Sequence, residues 1–133
     1  MKKFEFLEHP ADIKIRSYGR DLPELFVNSA LGMISFLYAK PERKTERTDK
    51  IRLKAPDVET LLVEWLSEIL TLSDTNDLAY ADYNLAELNE KEIIGEVGAK
   101  QAKAKDDIKA VTYSELEIRE TKEGYEATVV YDI

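Results

Sequence analysis

The chain has 133 residues, 44% of them hydrophobic, which is the length of one domain (1–133) with enough apolar content for a real core. Its formal net charge of −8 argues against a broad nucleic-acid surface and fits a basic partner or a cation. The absence of cysteine excludes disulfides, thiolate catalysis and Cys-ligated zinc, and a single histidine excludes a multi-histidine metal site.

No window approaches the roughly 20 apolar residues of a membrane span, so no membrane partner is expected. The start is basic at Lys2-Lys3, but Glu5, Glu8 and His9 interrupt any apolar stretch of a leader. A cytoplasmic protein is the expectation.

Phe4 and Phe6, then Ile13 and Ile15, alternate with polar neighbours, which predicts strands over Lys3 to Leu7 and Asp12 to Tyr18. Pro10, between them in His9-Pro10-Ala11-Asp12, has no N–H and belongs at a strand break or edge. Asp21 is placed to cap a helix, with Pro23 in its first turn and Glu24 at a capping-box spacing. Leu22, Leu25, Phe26, Ala30, Met33, Ile34 and Leu37 form its apolar stripe, and the helix should end near Tyr38.

Glu42 to Lys50 reads as a charged connection, followed by a strand marked by Ile51 and Leu53. Pro56-Asp57 opens a second helix, with Leu61, Leu62, Trp65, Leu66, Ile69 and Leu70 on one buried face. Ser73 to Asp77 ends it. Tyr80, Tyr83 and Leu85 predict a strand, and Glu92 to Val97 another, with Gly95 and Gly98 as signs of a bulge. Ala99 to Ala110, rich in Lys and Ala, reads as an exposed loop or strand end.

From Ser114 on, strand alternation returns. Leu116 and Ile118 share one face, and Ala127, Val129 and Tyr131 repeat the pattern after a turn at Glu123-Gly124. That turn predicts Leu116 opposite Tyr131 and Ile118 opposite Val129, with Ile133 packed inward opposite Ser114. The chain stops on Asp132-Ile133, so two carboxylates are expected at the end of a hairpin, where they ask for a cation or a basic group. The element order is then ββαβαββββ. The fold class is α+β, a mostly antiparallel sheet with two helices packed on one face.

Each chemical signal is weak alone. A lone histidine is more often a structural hydrogen-bond donor than a ligand, and an Asp opening a strand is usually a turn residue. The lysines of Lys100 to Lys109 more often discourage edge pairing than bind anything. No Ser/His/Asp arrangement and no Gly-rich phosphate loop is present. Asp12, Asp132 and the carboxylate of Ile133 would together offer only oxygen donors, a set that suits a hard divalent cation, Ca²⁺, Mg²⁺ or Mn²⁺.

His9-Pro10-Ala11-Asp12-Ile13, followed by Tyr18-Gly19 and Leu25-Phe26, resembles the opening motif of the archease family. Lys109-Ala110-Val111-Thr112-Tyr113 resembles the family's second motif, and Val129-Val130-Tyr131-Asp132-Ile133 its third. Order, spacing and length agree from end to end. Pro10 stands where the family usually has Thr, and Ser114 where it often has His, so Ser114 is given no role.

The resemblance implies a protein cofactor rather than a stand-alone enzyme. Archeases assist the RtcB-type RNA ligase, which joins tRNA halves using GTP and Mn²⁺ through a guanylylated histidine; RNA and GTP would be met only through that ligase. The resemblance also implies that Asp12 and Asp132 help to hold a divalent metal and that Lys109 is functionally needed, with His9 beside it as a candidate for ligase activation. Two other functions compete. A small metal-dependent hydrolase would use Asp12 and Asp132 as ligands but has only His9 as a base. A general chaperone-like accessory protein would need more exposed apolar surface than this composition offers.

Overall fold

Both helices start where the sequence predicts, each on an aspartate cap. In the computed structural model, which describes residues 2–133, helix α1 (Leu22–Leu37) is capped by Asp21, whose carboxylate accepts from the Glu24 N–H at 2.9 Å. Glu24 reaches back one residue further than the usual box, accepting from the Arg20 N–H at 3.0 Å. Helix α2 (Val58–Asn76) is capped by Asp57 in the same way, through the Thr60 N–H at 2.8 Å. It runs through the polar Ser73-to-Asn76 stretch and stops only at Asp77, which takes a left-handed conformation.

Eight strands accompany the helices among the described residues: β1 (Phe4–Leu7), β2 (Ile13–Gly19), β3 (Thr45–Lys54), β4 (Ala79–Leu88), β5 (Glu92–Lys100), β6 (Ala110–Val111), β7 (Glu117–Thr121) and β8 (Gly124–Asp132). Met1, the first residue of the chain, lies outside the description. The α+β class stands, with every strand pairing antiparallel. The strands divide into two sheets rather than one. A five-stranded sheet runs β1-β2-β8-β6, with β7 also paired to β8, and a three-stranded sheet runs β3-β5-β4.

Helix α1 packs on β1, β2 and β8 and also meets β4, while α2 lies against β3, β4, β5 and β6. The helices therefore join the two sheets through one core, which contains Ile15, Phe26, Met33, Leu61, Trp65, Leu66 and Tyr131. This is why α1 buries more than its apolar stripe: Asn28, Ser29 and Gly32 are also enclosed. Asn28 donates to the Tyr18 carbonyl at 2.7 Å, and a Cβ on Gly32 would stand 3.2 Å from Ile15 and Phe4.

Two elements differ from their sequence reading. The charged stretch before Ile51 is not a connection: β3 begins at Thr45. As an edge strand paired only with β5 it needs no apolar alternation, and its first residues are exposed. Gly95 and Gly98 do mark irregularities, but the extra residues lie in β4, where the register shifts between Tyr80 and Asp82 and between Leu85 and Glu87.

The C-terminal hairpin is also shifted. Its turn is Lys122-Glu123, so Ile118 faces Ala127 instead of Val129, a slip of two residues that keeps the same side chains inward. Gly124 opens β8 at φ 137°, against the backbone of Gly19 and Arg20, a position that fixes the register. Leu116 does not pair with Tyr131. Strand β7 starts only at Glu117, and the places beside Tyr131 are taken by Ile13 of β2 and Val111 of β6. β8 is thus a central strand, buried on both faces from Ala127 to Tyr131. Ile133 lies beyond β8 and is 44% exposed, so its side chain does not pack inward opposite Ser114.

Candidate functional site

The ends of β2, β6 and β8 meet at one edge of the five-stranded sheet, and the motif residues gather there. Ile13, the first residue of β2, pairs with Tyr131, so Asp12 precedes β2 at the end of the sheet where Asp132 closes β8. On the other side of β8, Ala110 pairs with Asp132, and the Lys109 N–H donates to the Asp132 carbonyl at 2.7 Å. Lys109 precedes β6 and Ile133 follows β8 at this same end. Asp132, Lys109 and Ile133 are exposed, and Asp12 is partly buried.

The loop from β1 to β2 turns tightly at Pro10-Ala11, and Ala11 has φ 64°. Proline followed by a positive φ is the signature of a type II turn, normally made with glycine at the second place. An L-residue there costs about 1–2 kcal/mol. The turn brings His9 back onto Asp12, with Nδ1 hydrogen-bonded to Oδ1.

The other ring nitrogen of His9 meets Glu115, which strand alternation would put on the face opposite Leu116 and Ile118. Nε2 lies 2.6 Å from Glu115 Oε2, and Lys14 donates to Glu115 Oε1 at 3.1 Å. Glu115 itself has φ 54°. Three non-glycine residues have positive φ among the described residues, and two of them, Ala11 and Glu115, hold this one histidine. Strained backbone of this kind concentrates at sites where geometry matters more than stability. No sequence signal marked Glu115 or Lys14, because their link to His9 depends on a loop more than a hundred residues away.

Both carboxylates facing His9 are acceptors when ionised, and only the doubly protonated ring donates to both. The Glu115 carboxylate first, and Asp12 second, hold the His9 pKa above its ordinary 6.5. Conversely, His9 and then Lys14 lower the Glu115 pKa from 4.5. The sign follows by linkage. Stabilisation from His9 is complete below pH 6.5 and is lost as the pH rises through its raised value. Stabilisation from Glu115 is present above pH 4.5 and is lost as the pH falls through its lowered value. The pair is whole between these limits. In an NMR titration His9 should therefore titrate above 6.5, and Glu115→Gln should bring it back towards that value. A wild-type midpoint at or below 6.5 would contradict the geometry.

The side-chain donors near this end, the Asp12 and Asp132 carboxylates, are hard oxygens of the kind that suit a hard cation. They fit such an ion in chemistry. Among the described residues no group of three or more His, Asp and Glu side chains is arranged as a metal cage, so side chains alone supply an incomplete set.

The family model described as the Archease protein family (MTH1598/TM1083) matches residues 4–133. The chain belongs to the archease family. A protein archease of Methanosarcina acetivorans is 38% identical, over 99% of this chain and 97% of that protein. One of Saccharolobus solfataricus is 35% identical over the whole of both. The solution structure of Methanobacterium thermoautotrophicum protein 1598 covers 100% of both chains at 28% identity, with a TM-score of 0.76. The crystal structure of a Thermotoga maritima protein titled an archease, possible chaperone, matches with a TM-score of 0.67 at 16% identity, over 96% of this chain and 94% of that one. This archease has no helix, among the described residues, that is long and apolar enough to cross a membrane.

Proposed function

We propose that this archease is a metal-binding protein cofactor of an RtcB-type RNA ligase, promoting ligase guanylylation and multiple turnover in tRNA splicing or RNA repair. The observation that carries the reading is the convergence of all three family motifs on one sheet end, where β2 begins just after Asp12 and β8 closes on Asp132. Asp12, Asp132 and the Ile133 carboxylate would hold a divalent cation, Ca²⁺, Mg²⁺ or Mn²⁺. The ion would supply positive charge to phosphate oxygens in the ligase's active site. His9 and Glu115 keep the Asp12 loop in place. Lys109, one register step away, would meet a phosphate or an acidic group of the ligase.

The surroundings suit a docked partner. Exposed large hydrophobic residues are few: Phe6, Tyr113 and Ile133 among the described residues. Ile133 lies one residue past β8 at this sheet end, and Tyr113 follows Thr112, whose N–H donates to the Val130 carbonyl two residues back along β8 from Asp132. Such a rim around charged groups fits a specific contact better than the dispersed apolar surface of a general chaperone. A time course with limiting ligase tests the reading. Product per ligase should exceed one turnover only when this protein is added, and this protein alone should make none. Hydrolysis of RNA by this protein alone would favour the metal-dependent hydrolase instead.

Lys109→Ala separates function from fold. Lys109 is exposed and its backbone bond to Asp132 survives the change, so stability should move by no more than about 0.5 kcal/mol. Turnover in the same assay should fall sharply. Parallel losses of melting temperature and turnover would make Lys109 structural.

A further inference from the structure

A second surface lies on α1, away from the motif residues. It is a depression of about 430 Å³ whose apolar floor is formed by Phe4, Leu31, Ile34 and Tyr38. Phe4 opens β1 and His9 follows its other end, so this surface and the candidate site lie towards opposite ends of that strand. The floor continues along β1: Phe6 packs edge-on against Phe4 with centroids 6.2 Å apart, meets Phe36 at 6.4 Å, and is 49% exposed.

The charged side chains that line this floor are opposite in sign to the net charge of the whole chain. Lys3, Lys40 and Lys105 line the depression, and no Asp or Glu does. Four other surface depressions each include at least one carboxylate, among them Asp82, Glu96, Glu123 and Glu24. The lysines that form ion pairs among the described residues are Lys2, Lys14 and Lys100, with Glu5, Glu115 and Asp82. Lys3, Lys40 and Lys105 are not in that set, although Lys3 also faces Glu24 of the adjoining depression and Asp77 and Asp74 lie within electrostatic reach of Tyr38. On a chain of net charge −8, three such ammonium groups around an apolar floor form a local positive field that an acidic ligand would reach and a basic one would not.

We propose that this depression docks an acidic segment of a partner protein, one large apolar side chain entering the floor between flanking carboxylates that meet Lys3, Lys40 and Lys105. A nucleotide is the poorer occupant. The lining offers little to read a base edge, because its one hydroxyl side chain outside tyrosine, Ser35, already donates to the Gly32 carbonyl at 2.7 Å. The apolar floor instead matches the anchor-and-rim pattern of protein docking sites. The proposal does not depend on the ligase reading, since it concerns a different surface and is tested without a ligase.

The test is an amide NMR titration of the full chain with three probes: a synthetic peptide carrying one phenylalanine between glutamates, the same peptide with glutamines, and an oligouridine. The acidic peptide should shift Leu31, Ser35, Ala81 and Lys105 saturably, more weakly as salt rises. The glutamine peptide should bind at least about fivefold less tightly, about 1 kcal/mol. A Lys40→Glu, Lys105→Glu double variant should lose binding of the acidic peptide with its melting temperature unchanged. Equal binding of the glutamine peptide, unchanged binding by the double variant, or tighter binding of oligouridine at these amides would overturn the proposal. So would shifts confined to the His9 and Asp132 end.

Discussion

Asp132→Asn should remove most of the ligase activation while the fold stays nearly intact. Asp132 is exposed and is held by backbone pairing to Ala110 and Lys109, which the amide keeps. Stability should change by no more than about 0.5 kcal/mol. What the substitution deletes is one of the two side-chain carboxylates proposed to hold the cation. Groups that merely orient a metal ligand are worth ~10–100-fold in metal affinity, so losing a direct carboxylate donor should cost at least about tenfold. Ca²⁺ or Mn²⁺ titration followed by calorimetry reads that loss without any ligase present. Adding residues after Ile133 should mimic it, because the terminal carboxylate becomes a neutral amide and bulk enters the same space. If a protein extended beyond Ile133 activates fully, the chain end is not part of the site, and Asp12 and Asp132 carry the proposal alone.

Gly124→Ala should have the largest effect on the fold. Gly124 sits at φ 137°, a region that side chains rarely adopt, and a Cβ there would fall 2.3 Å from the Gly19 carbonyl oxygen and 2.7 Å from the Arg20 Cα. Both obstacles are backbone, so neither can swing aside as a flexible side chain would. Backbone strain of about 1–3 kcal/mol adds to an overpacking cost of similar size, giving a loss of about 3 kcal/mol or more. In a chain of this length that lowers the melting temperature by about 10 °C. The substitution acts where β8 begins beside the end of β2, so it should also disturb the register that carries Asp132 to Asp12. A thermal melt of Gly124→Ala within about 2 °C of the wild type would mean that the strand start is far more yielding than this contact allows.

The parts of the molecule that could be read from the sequence were those set by local rules. Asp21 and Asp57 announce their helices because a cap needs only a side-chain oxygen three residues before an N–H. The stripe from Leu61 to Leu70 is legible for the same reason, since burial repeats at helical spacing. The hairpin was legible in its facing but not in its register. Alternation has period two, and a slip of two residues leaves every apolar side chain inward, so alternation cannot choose between them, and the turn at Lys122-Glu123 followed by Gly124 at positive φ sets the register that forms. Strand β3 was hidden because an exposed edge strand carries no apolar signature in its first half.

The candidate site divides in the same way. His9, Asp12, Lys109 and Asp132 stand in motifs that a family resemblance can point to. Glu115 and Lys14 do not. Their role comes from a left-handed residue after β6 that turns a carboxylate towards an imidazole from the far end of the chain. A chain-wide alternation of polar and apolar residues assigns Glu115 to solvent, and nothing in that pattern distinguishes a solvated glutamate from one that holds His9.

The most direct measurement is guanylylation of a cognate RtcB-type ligase, followed with labelled GTP and Mn²⁺ after the ligase has completed one round of joining. With wild-type protein present, the ligase should regain its guanylyl group and enter a second round. With Asp132→Asn in its place, it should remain largely unmodified although the variant is folded. Guanylylation that proceeds at the same rate and extent with wild-type protein, with the variant and with neither would contradict the account.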